Sequence, residues 1–154
     1  MQFGHLPLAL SIATYDWSPE TAAFCVAMHW LPNADSLVVK AGFAKPDFHC
    51  TVTHSITFAV AVSALVAIFS LKYALFALMA ILAHYAADIG STVGQPLLWP
   101  FSQRKFTLAL FQDTGWWGKD MFIGYYKQPM SWVLEGAVTI FFIYRLSVVY
   151  GWGG

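Results

Sequence analysis

The chain has 154 residues, of which 58% are apolar and only 10% charged, with a mean hydropathy of +0.59. That length points to one domain, and so apolar a composition excludes a soluble globule clothed in polar side chains. Eight Lys/Arg balance eight Asp/Glu, so no net field draws nucleic acid or an acidic partner, and selectivity must come from a local site.

Five apolar stretches follow in chain order, at about residues 3–15, 20–32, 54–71, 73–95 and 129–150. A bilayer core takes about 20 apolar residues as helix. The last three stretches reach that length; the first two fall short and are expected to be short, tilted or re-entrant. Between those two, Asp16-Trp17-Ser18-Pro19-Glu20 is a helix start signal, with Ser18 as N-cap, Pro19 at the first helical position and Glu20 complementing the dipole. Stretches one and two are therefore expected to form a hairpin. The expected fold is all-α, a single polytopic membrane bundle of about five helices over residues 1–154. The start of the chain lacks the basic region of a signal peptide and reads as mature protein. Cys25 and Cys50 have neither zinc-ribbon nor redox-pair spacing, so Cys25 is expected to pack and no disulfide is expected.

Threading the stretches alternately places the start of the first, the end of the second, the start of the third, the end of the fourth and the start of the fifth on one side. Lys40, Lys45, Arg104, Lys105, Lys119 and Lys127 lie on that side, against Lys72 and Arg145 on the other. The excess of positive charge marks it as the expected cytoplasmic side. Trp99 to Tyr126, with Trp116-Trp117 and Tyr125-Tyr126 among Lys and Asp, suits an interfacial segment in the headgroup layer that could cover or feed a site.

The ionisable residues gather on the same side. His84-Tyr-Ala-Ala-Asp88 places an imidazole and a carboxylate at i and i+4 on one helical face, a spacing that can clasp a metal ion. An intramembrane Asp costs about 2.5–3.5 kcal/mol on insertion scales and marks a functional site. His49 and His54 flank the start of the third stretch, and Leu31-Pro32-Asn33-Ala34-Asp35 closes the second, so that Asp35 could bridge two metals. His5 opens the first stretch at that level. Four of five His and two Asp thus converge; the competing reading is of separate interfacial rings satisfied by water or helix ends. His29, inside the second stretch, is read as a packed or outer-shell residue rather than a ligand. Glu135, about two turns past Pro129, needs a cationic or metal partner. Arg104-Lys105 would attract phosphate, or simply anchor the chain. No phosphate-cradling glycine loop, serine elbow or His-Glu-x-x-His is present, which leaves metal-activated water as the nucleophile.

Leu-Pro-Asn-Ala-Asp, His-Cys-Thr-Val-Thr-His-Ser, His-x-x-x-Asp-x-x-x-Thr-x-Gly and Leu-Leu-Trp-Pro-Phe-Ser, in that order, resemble the YdjM-like family of inner-membrane metal-dependent hydrolases over nearly the whole chain. That family is tied to LexA by regulation and is distantly similar to zinc phospholipase C and P1-type nucleases. The resemblance implies a ligand set of His5, Asp35, His49, His54, His84 and Asp88, supported by Thr53 and Ser55, with Glu135 at the late acidic position. Asn33 stands where the family has Asp, and Cys50-Thr51 where it has Arg-Gly.

The expectation is a phosphoester hydrolase working at the membrane surface on a phospholipid-like or small phosphoester substrate. It would use one to three divalent ions, zinc or alternatively manganese. Asp35 or Asp88 would orient the attacking water, and Arg104 would meet the phosphate. Two other classes stay open: a metal-binding or transport protein, against which the lack of an internal repeat counts, and a regulatory subunit with a degenerate site. Metal content separates the last from the others.

Overall fold

The structure, a computed structural model, describes residues 1–45, 48–115 and 118–151. It is all-α: α1 His5–Ala13, α2 Pro19–Trp30, α3 Asp35–Lys40, α4 Ile56–Ala67, α5 Leu71–Asp88, α6 Lys119–Tyr126 and α7 Pro129–Tyr150. There is no strand among the described residues; Gln95 and Phe106 form an isolated antiparallel bridge.

The start of α2 follows its sequence signal. Ser18 Oγ accepts the Thr21 N–H at 3.1 Å and Pro19 opens the helix, so one orphan donor of the first turn is satisfied and the missing proline N–H costs nothing. α1 and α2 form the expected hairpin and pack on α5 through Ile12, Ala13, Cys25, Phe76 and Ala80. Ala9, Ala13, Ala77 and Ala80 are fully buried; side chains this small let the three backbones approach closely.

Of the three stretches expected to span, two do so by length. α5 has 18 residues and α7 has 22, both long and apolar enough to cross a membrane. The third does not: α4 has 12 residues, about 18 Å at the helical rise and short of a bilayer core. A serine caps its start, and a second serine starts the helix that follows. Ser55 accepts from the Phe58 N–H, and Ser70 accepts from the Tyr73 N–H to start α5 at Leu71. The turn therefore falls at residues 68–70, ahead of Lys72. α7 leaves Trp132, Val133, Ile140, Ile143 and Val148 exposed, a surface that lipid accommodates and water does not.

The helices thread as expected, with opposite ends of the bundle chemically distinct. At one end Lys72 meets Asp16 at 2.5 Å, Arg145 Nε donates to Thr14 Oγ1 at 3.0 Å, and Trp17 Nε1 donates to Tyr150 OH at 3.1 Å. The other end holds the start of α1, the ends of α2 and α5, and the approach to α4, and with them all five His. Residues 95–115, with a turn at 97–101 and no helix or strand, lie across this end. Leu108 N–H donates to Ile89 O at 2.7 Å and Leu110 N–H to Gly90 O at 2.9 Å. A Cβ on Gly90 would sit 2.8 Å from the Phe111 ring, so glycine is what allows the segment to lie so close. α6 then packs against the chain start, with Phe3 edge-on to Phe122 at 5.5 Å. The aromatic segment covers the His-bearing end, as its composition suggested; Trp116-Trp117 lie outside the described residues.

Candidate metal centre

The first turn before α4 and the last turn of α5 bring His54, His84 and Asp88 together. His54 and His84 are fully buried. His84 Nε2 lies 3.3 Å from His54 Nε2 and 3.3 Å from Asp88 Oδ2. Neutral rings can place at most one shared proton between two facing nitrogens. A tetrahedral zinc with bonds of about 2.0–2.2 Å, by contrast, sets its ligand atoms about 3.3–3.5 Å apart. The two edges from His84 thus have the spacing of one ion's coordination shell, and the three atoms, which could hold an ion, all lie within 4.8 Å of one another. His84 makes its polar contacts through Nε2 alone, because its buried Nδ1 has no hydrogen-bond partner.

Asp35 stands behind His54. Its Oδ2 accepts from Thr53 Oγ1 at 2.6 Å and from the Cys50 N–H at 3.2 Å and lies 3.6 Å from His54 Nδ1, while its Oδ1 meets His49 Nδ1 at 2.6 Å. Thr53 Oγ1, which donates to Asp35, lies 3.1 Å from His54 Nδ1 and can accept its proton, so the carboxylate backs the outer nitrogen of His54 through that hydroxyl, a usual device for aiming the inner nitrogen of a metal-binding histidine. Burial would raise the Asp35 carboxyl, but hydrogen bonds from His49 and Thr53 and the nearby imidazoles outweigh it and hold the group below its ordinary value. Burial pushes the His54 imidazole down to about 4, so the ring is neutral and offers a lone pair at physiological pH. Cys50 contributes its backbone from a left-handed conformation with φ 59°, a region costly for a side-chain-bearing residue. That bend, at a position where the family resemblance has no glycine, delivers the N–H to Asp35.

His5 and His29 complete the cluster from α1 and α2. His5 Nε2 lies 3.0 Å from Asp88 Oδ1, and its Nδ1 lies 2.9 Å from His29 Nε2. His29 Nδ1 lies 3.0 Å from Ala80 O. His5, His29 and His84 form a second group close enough to hold an ion. His29, read from the sequence as a packed or outer-shell residue rather than a ligand, is fully buried beside these rings and belongs to this second group. The signal was available: a histidine one residue before the end of an apolar helix shares the level of the other rings, and Ala80, one turn before His84, leaves it room.

The remaining site residues sit farther out. Ser55 caps α4, and its carbonyl accepts from the Tyr85 hydroxyl at 3.0 Å, tying that helix start to α5. Glu135 accepts from the Gln2 N–H and the Tyr126 hydroxyl, each at 2.7 Å, and so ties the chain ahead of α1 to α7. Among the described residues it belongs to neither group of ion-ligating atoms. Arg104 is exposed, with its guanidinium over the Phe106 ring.

A cavity of about 290 Å³ opens beside the cluster, lined among others by His5, Asn33, His49, Asp88, Phe111 and Tyr125. Asn33 Oδ1 is buried there without a partner. No Lys or Arg is among the described lining residues. The pocket therefore joins the carboxylate to a space of small-ligand size, roofed by the segment that crosses the bundle end.

No curated protein and no solved structure matches the chain in sequence or fold searches. The sequence model of the YdjM inner membrane protein family matches residues 3–153. The motifs that build the centre, from His5 through Asp88, all lie within that match, and the chain belongs to the YdjM inner membrane protein family.

Proposed function

We propose that the chain is a membrane-embedded metal-dependent hydrolase that cleaves a phosphoester, phospholipid-like in character, at the cytoplasmic surface of the inner membrane. The observation that carries the reading is the spacing of His54 Nε2, His84 Nε2 and Asp88 Oδ2, 3.3 Å along both edges from His84, next to a cavity of small-ligand size. The nitrogen-rich donor set favours zinc over manganese. When bound, such an ion brings the pKa of water toward about 7 and supplies a nucleophile that the side chains lack.

The protein's own residues then have distinct tasks. Asp88 uses one oxygen toward His84 and the other toward His5, so it lies where a water between ion and substrate would be oriented. Asp35 holds His49 directly, and His54 through the Thr53 hydroxyl, rather than the ion itself. Apolar Phe111, Val93 and Met121 share the cavity wall with Asp88, which suits a substrate with a phosphoester at one end and hydrocarbon at the other. Arg104, on an exposed loop, is available to a headgroup outside the cavity.

Purified protein loaded with zinc or with manganese is assayed against phospholipids, phosphatidate, isoprenyl phosphates and nucleotides. The reading expects turnover of a lipid phosphoester that stops with chelator and returns with metal. Metal-loaded protein that turns over none of them overturns it in favour of ion binding.

A further inference from the structure

The two histidine pairs in the cluster have different spacings. His54 and His84 stand 3.3 Å apart, the edge of a coordination shell; His5 and His29 stand 2.9 Å apart, the ordinary length of an N–H···N hydrogen bond and too short for two ligands of one tetrahedral ion. The direction of that bond is fixed from outside. Ala80 O can only accept, so His29 Nδ1 carries a proton and donates to it at 3.0 Å. His29 Nε2 is then an acceptor if the ring is neutral, and fully buried as it is, the neutral ring is the form that burial favours. His5 must therefore donate to it through Nδ1.

We infer that His29 is a positioning residue: by accepting the Nδ1–H of His5 it dictates that His5 turns its Nε2 toward Asp88 and the ion. Whether His5 is neutral or cationic, the proton on Nδ1 stays. Nε2 is then the nitrogen that faces the carboxylate, 3.0 Å from Asp88 Oδ1. Without His29 the neutral His5 ring would move its proton to Nε2, donate to Asp88, and offer nothing to an ion. The chain from Ala80 O through His29 to His5 thus does for His5 what Asp35 does for His54. This inference rests on the metal reading for its purpose, but not for its geometry.

The test uses full-length protein in detergent, with His29→Leu and His29→Gln. Glutamine can accept from His5 through Oε1 and donate to Ala80 O through Nε2, whereas leucine fills the space and does neither. Imidazole 15N spectra of the metal-free protein should show His5 protonated at Nδ1 in the wild type and in His29→Gln. In His29→Leu the proton should move to Nε2. Zinc affinity should fall about 10- to 100-fold in His29→Leu, recover in His29→Gln, and keep the same stoichiometry in all three. An unchanged His5 tautomer in His29→Leu overturns the inference whatever the zinc affinity does. So does a lost equivalent of zinc in both variants, which would make His29 a ligand. Wild-type protein that binds no zinc but shows the tautomer switch keeps the positioning role and defeats only the metal reading.

Discussion

At the scale of single residues, Asp35 and His54 show how acid should act on the centre. His54 takes a proton near its ordinary value of about 6.5 in the unfolded chain and only near 4 in the folded one. Between those values the unfolded state binds the extra proton, so the metal-free protein loses stability as pH falls from about 6.5 to about 4. For this one ring the loss amounts to about 3 kcal/mol. Asp35, held below its ordinary value, has the usual carboxylate sign: its contribution is complete above about pH 4 and lost at lower pH. Unfolding midpoints of the metal-free protein in detergent should therefore drop through the first window, and His54→Gln should make that slope shallower. A slope unchanged in His54→Gln contradicts the assignment. Asp35→Asn should cut metal affinity about 10- to 100-fold through the orientation of His54, read by zinc titration. Residue types and spacing made His5, His54, His84 and Asp88 legible in the sequence. The division of labour was not. That Asp35 backs His54, and that His29 belongs inside, depend on contacts between helices that no single segment's periodicity encodes.

At the scale of elements, local chemistry was the readable part. The Ser18-Pro19 start of α2 and the hairpin it implies could be taken from five residues, because capping is decided within one turn. The length of α4 could not. Its apolar run continues to Leu71, and only the Ser70 cap, paired with the Tyr73 N–H, shows where the chain turns. Glu135 is the element-scale test of ligand against anchor. It grips the Gln2 N–H and the Tyr126 hydroxyl, and α1 and α7 approach so closely that a Cβ on Gly4 would lie 3.2 Å from its side chain. Glu135→Gln should keep its full equivalent of metal while losing about 1–3 kcal/mol of stability as the charged acceptor goes. Metal analysis beside a thermal melt reads both, and depleted metal in a variant of normal stability would make Glu135 a ligand.

At the scale of the whole molecule, alternate threading of apolar stretches correctly grouped the His-bearing ends, because a hydrophobic chain crossing a bilayer has few ways to order its turns. The roof over the site was legible as composition, an aromatic segment among charges, but not as irregular chain hydrogen-bonded to Ile89 and Gly90. Single cysteines at positions 45 and 119, placed on a background with Cys25 and Cys50 replaced, should both be labelled by an impermeant thiol reagent only from the cytoplasmic face. Reaction from opposite faces would separate the loops that the centre requires to be together. The most direct measurement of the account is elemental analysis of the purified wild type, His84→Ala and Asp88→Ala. At least one equivalent of divalent metal, zinc foremost, is expected in the wild type and depletion in each variant, because each loses one of three atoms spaced to hold the same ion. A wild type without metal, or two folded variants that keep all of it, would contradict that claim.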